Sequence, residues 1–409
     1  MSVEFQWQEG EYRTPLVPPP ERPRRRLRRV LLIVGGLLLV AVAVAGVILW
    51  NRAQVGLRAA QSDLQAVVDA EVTALQRGDE EVYLSLQDFN HRQWYRFQEL
   101  YFSALQRAEE DEVGKQISEL RIVDLDLDAD SAWVEVEYEL EGVPYRRVQF
   151  YRLTAGHWRH TAPDVRYWGE RKESETTHVR FIYRQREEEI VQSVRDEVER
   201  FYQQVADDFG LSTFGHHLTF EFQPVNEARP ALYSQGYFLV PSPLLLGVRA
   251  DGQPDGELLA SLAHSVALYL AIEKSGLYVR QPGPGSNWVL LNGIVAWEVE
   301  QWQPGSALPA PWHEWLQEAA AQDDLPPLSA LWPPYQFQTD RDGGLAFAQA
   351  ESAVAYAVER RGREVLPALL DALGRKLSPE ETIEAALDMD VATFEVGWQE
   401  FLQQSTVDR

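Results

Sequence analysis

Residues Val30 to Trp50 read VLLIVGGLLLVAVAVAGVILW, 21 residues without a charge. No other feature limits the chain more. A helix rising ~1.5 Å per residue over such a run crosses a hydrocarbon layer of ~30 Å. Trp50 stands where an interfacial aromatic anchors a span. Arg22, Arg24, Arg25, Arg26, Arg28 and Arg29 precede the run, and only Arg52 and Arg58 follow closely. The positive-inside rule therefore predicts a single-pass protein with a cytoplasmic basic tail, residues 1–29, a transmembrane helix, 30–50, and an extracytoplasmic bulk. A cleaved signal peptide fits less well, because the run exceeds an ordinary h-region of ~7–15 residues and no A-x-A site follows. Leu16 to Pro20, LVPPP, reads as a disordered lead-in to the arginines or as a polyproline ligand.

Charge narrows the partners. The 409 residues hold 63 acidic and 38 basic side chains, a net charge of -25. The tail, with seven arginines and four glutamates, is +3, so residues 51–409 carry -25 - 3 = -28. Such a surface repels anionic lipid head groups and phosphate backbones, and no nucleic-acid partner is expected. The absence of cysteine removes disulfides, thiolate metal sites and cysteine nucleophiles.

The next region, 55–170, opens with helical spacing. Leu57, Leu64, Val67, Val68, Val72 and Leu75 fall mostly at three- and four-residue steps, and Gly78-Asp79 ends the helix. A second helix is predicted over about 90–110, with Trp94, Phe97, Tyr101 and Leu105 on one stripe. The period then becomes two. Val123, Leu125 and Leu127 alternate with aspartates, and Val134, Val136, Tyr138 and Leu140 with glutamates, the pattern of antiparallel strands with one wet face. A third strand, Tyr145 to Leu153, turns at Ala155-Gly156 into His157-Trp158-Arg159-His160. Helices followed by a meander predict an α+β layer. The opening helix ending in Gln76-Arg77-Gly78-Asp79, the curved sheet and the final Gly156-x-Trp158 strand resemble the nuclear-transport-factor-2-like cone fold. The resemblance implies a cone-shaped interior able to hold a ligand, and it fixes no activity.

Two metal patterns in this region are read as decoys. Asp124, Asp126, Asp128, Asp130 and Glu135 have the spacing of a calcium loop, but Ala129 stands where the sharp turn needs glycine and the flanks are strands. His157 and His160, three apart on a strand, point to opposite faces.

Residues 171–177 are polar and read as a linker. The last region, 178–405, is predicted to begin with a strand from His178 to Tyr183, a helix from about Glu187 to Phe209, and strands at Leu218 to Phe222 and Tyr237 to Val240; from Gly256 it is helical. One helix carries Leu262-Ala263-His264-Ser265-Val266-Ala267-Leu268, the next Leu291-Asn292-Gly293-Ile294-Val295-Ala296-Trp297. These stretches, with Gln349-Ala350-Glu351-Ser352, Arg361 to Leu366 and Phe394 to Trp398 downstream, resemble the gluzincin metallopeptidases, most closely the peptidase MA-like domains. In that family H-E-x-x-H on the first helix supplies two zinc ligands and the general base, and a Glu on the second supplies the third ligand. Here His264 keeps the first ligand position, Ser265 replaces the base, Leu268 the second His and Asn292 the ligand Glu; Gly293 and Trp297 keep the motif's scaffold.

Zinc needs three charged or imidazole ligands, and hydrolysis needs a base for the attacking water. Three of the four positions lack them. The expectation is a non-catalytic peptidase-like protein without zinc or another cofactor, binding or scaffolding an extracytoplasmic peptide or protein. A divergent zinc peptidase and a small-ligand sensor working through the cone-shaped region are the alternatives. Substitute ligands are poor. His216-His217 diverge before a strand, His313-Glu314 lacks a second His because Gln317 fills its place, and Glu273, Glu298 and Glu300 read as surface or capping residues. His264 reads as a buried, hydrogen-bonded histidine. Ser265 is adjacent to His264 on a helix and cannot face it. Gln281 to Ser286 is a proline-rich connector whose prolines remove the donors that a phosphate nest needs.

Overall fold

A computed structural model describes residues 24–107, 119–140, 142–211, 217–225, 236–277, 287–322, 324–328, 340–375 and 378–407. Residues 1–62 and 63–409 form two compact units. The first of these contains most of the long helix α1, Arg24–Arg77, which runs through the apolar stretch 30–50. Among the described residues no helix is long and apolar enough to cross a membrane. The tail up to residue 23, with its LVPPP segment, and the side chains of residues 24–38 lie outside the described residues. Leu39, Val42, Val47 and Trp50 are exposed.

In the second unit α1 buries Leu64, Val68, Val72 and Leu75, the predicted stripe. Gly78, with φ 65°, ends α1, and Asp79 starts α2, Glu80–Ser85, by accepting from the Val82 N–H at 3.1 Å. Helix α3, Arg92–Arg107, follows. Strands β1, Arg121–Asp128, β2, Ser131–Leu140, β3, Val143–Thr154, and β4, His157–Thr161, form an antiparallel meander in that order. The calcium-like aspartates lie on its β1–β2 hairpin, as expected of a wet face. One inward position is corrected. The β1–β2 register shifts between Ile122 and Asp124, and Ile122 rather than Val123 enters the core with Leu125 and Leu127. A bulge of this kind changes which side chain faces inward without breaking the ladder.

Residues 171–177, read as a linker, contribute β5, Arg171–Glu175, which pairs with β6, Val179–Arg184. Three of its four charged residues are paired, Arg171 with Glu173 at 3.0 Å and Lys172 with Glu188, at the start of the following helix, at 2.6 Å. An edge strand tolerates such composition because one face and one edge stay wet. Helix α4, Glu188–Asp208, crosses over to β7, Leu218–Gln223, and β8, Tyr237–Pro241, completes a sheet of order β5-β6-β7-β8. The β6–β7 and β7–β8 pairs are parallel, and α4 covers the sheet with Val191, Val194, Val198, Phe201 and Val205.

A short helix α5, Pro243–Leu246, then leads to β9, Val248–Arg249. β9 pairs with β3, so the first region's sheet takes a strand from beyond residue 178. The rest is helical: α6, Gly256–Ser275, α7, Asn287–Trp302, α8, Ala310–Ala321, α9, Asp340–Arg361, α10, Val365–Gly374, α11, Pro379–Leu387, and α12, Val391–Val407. The largest core joins α4, the parallel strands and α6, α7, α9 and α10. The class is α+β, as the pattern predicts.

Candidate functional site

Helix α6 starts where Asp255 accepts from the Leu258 N–H at 2.8 Å and ends at Gly276 in the left-handed region. It is apolar nearly all round because it lies in the interior of the helical layer. Leu268, which the metallopeptidase resemblance would align with the second ligand, is 2% exposed and belongs to the main core. Ser265, which the same resemblance would align with the general base, donates from Oγ to the carbonyl of Ser261 at 3.0 Å, one turn back. His264 is half-buried and, contrary to expectation, makes no hydrogen bond to another described residue. Burial holds its pKa below the ordinary 6.5, favouring neutral imidazole.

On α7 Asn292, which the resemblance would align with the third ligand, is half-buried and donates from Nδ2 to the Trp288 carbonyl at 2.8 Å. Gly293 lets α7 approach α9 closely, since a Cβ there would stand 2.7 Å from the Ala350 carbonyl carbon. Trp297 is buried, with the Arg363 guanidinium 5.1 Å from its ring centre. Helices α6 and α7 pack together, so the fold brings the two motif helices side by side. Among the described residues no group of three or more His, Asp or Glu is placed to hold a metal.

The neighbouring candidates divide. Glu300 caps a turn, accepting from the Gly305 N–H at 2.8 Å. His313 Nε2 stands 3.8 Å from Glu351. His216 lies outside the described residues, as does the connector 281–286. Glu298 is not a surface or capping residue. It is 0% exposed, and neither carboxyl oxygen has a hydrogen-bond partner. Burial first, then the charge of Asp208, raises its pKa to about 8, against the opposing pull of Arg363. Helical spacing alone could not separate it from exposed Glu300, because burial there depends on which helix covers the position.

A different concavity lies in the first region, between α1, α2, α3 and the inner face of the β1–β4 meander. Its volume is about 520 Å³, within the size range of small-ligand sites. The stripe predicted on α3, Trp94, Phe97, Tyr101 and Leu105, lines it. Leu245, Leu246 and Glu257, from beyond β8, line it too. The β2–β3 register places Val134, Val136 and Tyr138 opposite Gln149, Arg147 and Tyr145, so these six share one face.

The deep wall is a hydrogen-bonded network. Glu71 accepts from Gln87 Nε2 at 3.1 Å and lies 3.2 Å from His160 Nδ1. The Trp94 indole N–H is shared between Gln87 Oε1 at 3.2 Å and the His160 carbonyl at 3.1 Å. Tyr83 donates to Gln98, and Tyr151 donates to Gln149 Oε1 at 3.1 Å. Burial raises the pKa of Tyr83, Tyr138 and Tyr151, so these phenols stay neutral donors. His157, by contrast, is exposed, so the two histidines of β4 do part as expected.

Arg147 stands apart from this network. Its Nε is buried without a hydrogen-bond partner, and no carboxylate among the described residues lies within ion-pair reach. Its guanidinium carbon lies 5.7 Å from the Tyr138 ring centre. A lone arginine at an inward position of a strand was the sequence signal, visible only once the register was known.

No protein-family model matches the chain, and no curated protein sequence matches it.

Proposed function

We propose that the chain is a membrane-anchored extracytoplasmic binding protein whose helical half is a peptidase-like scaffold without peptidase chemistry. The observation carrying this reading is the state of Leu268 and Asn292. Leu268 is core and has no donor atom, and Asn292, its Nδ2 held by the Trp288 carbonyl, offers only a neutral amide oxygen. A zinc site would need both positions to present donors to a common point. Support for the anchor comes from the arginine bias around the uncharged run 30–50 and from the exposed apolar residues in it, Leu39, Val42, Val47 and Trp50. Strand addition is the favoured mode for a peptide partner, because β8 ends its sheet with a neighbour on one side among the described residues.

The test is elemental analysis of the full chain after zinc exposure and desalting, with peptide-library capture alongside. Substoichiometric zinc together with captured extended peptides is the expected result. About one zinc per chain, lost in His264→Ala, would overturn the reading in favour of a divergent metallopeptidase.

A second reading, small-ligand sensing through the cone-like first region, is favoured by the cavity around Arg147.

A further inference from the structure

Burying a cation without a partner is costly, and natural interiors pair such groups. Arg147 faces the cavity of the first region with a buried, unpartnered Nε. The surrounding unit is strongly acidic, since residues 51–409 carry -28, so carboxylates to neutralise this arginine were abundant in the sequence. Its neighbours on β3 show the ordinary outcome: Arg146 pairs with Glu137 at 3.1 Å and with Glu135 at 3.3 Å.

We propose that this cavity binds a small amphipathic carboxylate, held at its charged end by Arg147 and along its apolar body by Phe97, Tyr101 and Leu105. The proposal rests on the second reading above and names its ligand class. A guanidinium presents a planar fork that matches a carboxylate in two parallel hydrogen bonds. Gln149 Oε1 is taken by Tyr151, which leaves its amide N–H groups as further donors on the same face. A doubly charged phosphate fits worse, because the lining supplies one unpaired arginine and also holds the carboxyl groups of Glu71 and Glu257. Glu71 does not compete for Arg147, being engaged by Gln87 and His160. The site is composite. Leu245 and Leu246 close it from α5, and β9 ties that segment to β3.

The experiment is calorimetric titration of the full chain in nanodiscs, since detergent tails would compete for an apolar cavity. The probes are decanoate and naphthoate, each with its neutral amide, and inorganic phosphate. The expected result is saturable binding of at least one carboxylate, about tenfold or more tighter than its amide. Arg147→Gln should weaken carboxylate binding to the level of the matching amide and so remove that preference. Arg147→Lys, which keeps the charge without the fork, should retain part of it; this second variant covers the case in which Arg147→Gln does not fold. Equal affinity for acids and amides, or tighter binding of phosphate, would overturn the carboxylate class while leaving a ligand cavity. No saturable binding of any probe up to about 10 mM would overturn both this inference and the sensing reading.

Discussion

Arg363 Nη1 stands 4.0 Å from Glu298 Oε2 and closes instead on Asp208. The arginine, exposed at one end, serves the partner nearer the surface and leaves the deeper carboxyl without a hydrogen bond. Glu298 thus sits protonated within the α7 layer, with a pKa raised to about 8 by burial and by Asp208.

A pH dependence follows with a fixed sign. The folded pKa of Glu298 lies above the ordinary 4.5 of the unfolded chain, so the folded state binds more protons between these values. The contribution to stability is fully present below the unfolded value and is lost as pH rises through about 8. Glu298→Gln cannot ionise and should flatten this slope, gaining on the order of a few kcal/mol over the parent at about pH 9 and little at about pH 5. Urea unfolding across that range checks it; parallel curves for the two proteins would contradict it.

His264 acts in the opposite direction. Burial lowers its folded pKa, so the unfolded chain takes up the proton first as the solution is acidified. Stability is therefore lost as pH falls below the ordinary 6.5. His264→Gln should reduce the loss on acidification, read as a smaller drop in Tm between about pH 7 and about pH 5. An unchanged drop would mean that the imidazole is not desolvated in solution.

Gly293 sets the approach of α7 to α9. Its missing Cβ would meet the backbone and Cβ of Ala350 at 2.7 and 2.8 Å, atoms that cannot swing aside. Gly293→Ala should destabilise the chain by about 1–3 kcal/mol despite alanine's better helix propensity. Chemical denaturation measures it, and a neutral or stabilising effect would show that the crossing is looser.

The network behind the cavity should be cooperative. Gln87 bonds Glu71 through Nε2 and accepts the Trp94 indole N–H through Oε1. Gln87→Leu leaves Glu71 with one fewer donor in a buried setting and should cost roughly 2–4 kcal/mol. A double-mutant cycle with Glu71→Gln should return a coupling energy above about 0.5 kcal/mol; additive losses would mean that the pair acts independently.

Periodicity carried most of the local structure. The step of three or four at Leu64, Val68, Val72 and Leu75 and the alternation from Val134 to Leu140 appear at the expected places because each depends on one buried face. Where two patterns compete, local reading fails. The bulge at Ile122/Asp124 moves the inward position by one, and Arg171–Glu175 pairs as an edge strand although its composition is that of a loop. At His264, Ser265, Leu268 and Asn292 the sequence supplied only the residue types, among which leucine has no atom that can bind zinc.

The sequence by itself determined the α+β class, the acidic charge, the absence of thiol chemistry and the types of side chain at the motif helices. Tertiary structure decided what those side chains meet. Glu298 and Glu300 lie two residues apart on one helix, yet one is sealed beneath Arg363 and the other caps a turn. Arg146 and Arg147 are adjacent, yet one finds two glutamates on the outer face and the other faces a cavity beside the Tyr138 ring without a carboxylate. Burial and pairing are properties of contacts between distant segments, and neighbours in sequence can fall on opposite sides of a sheet.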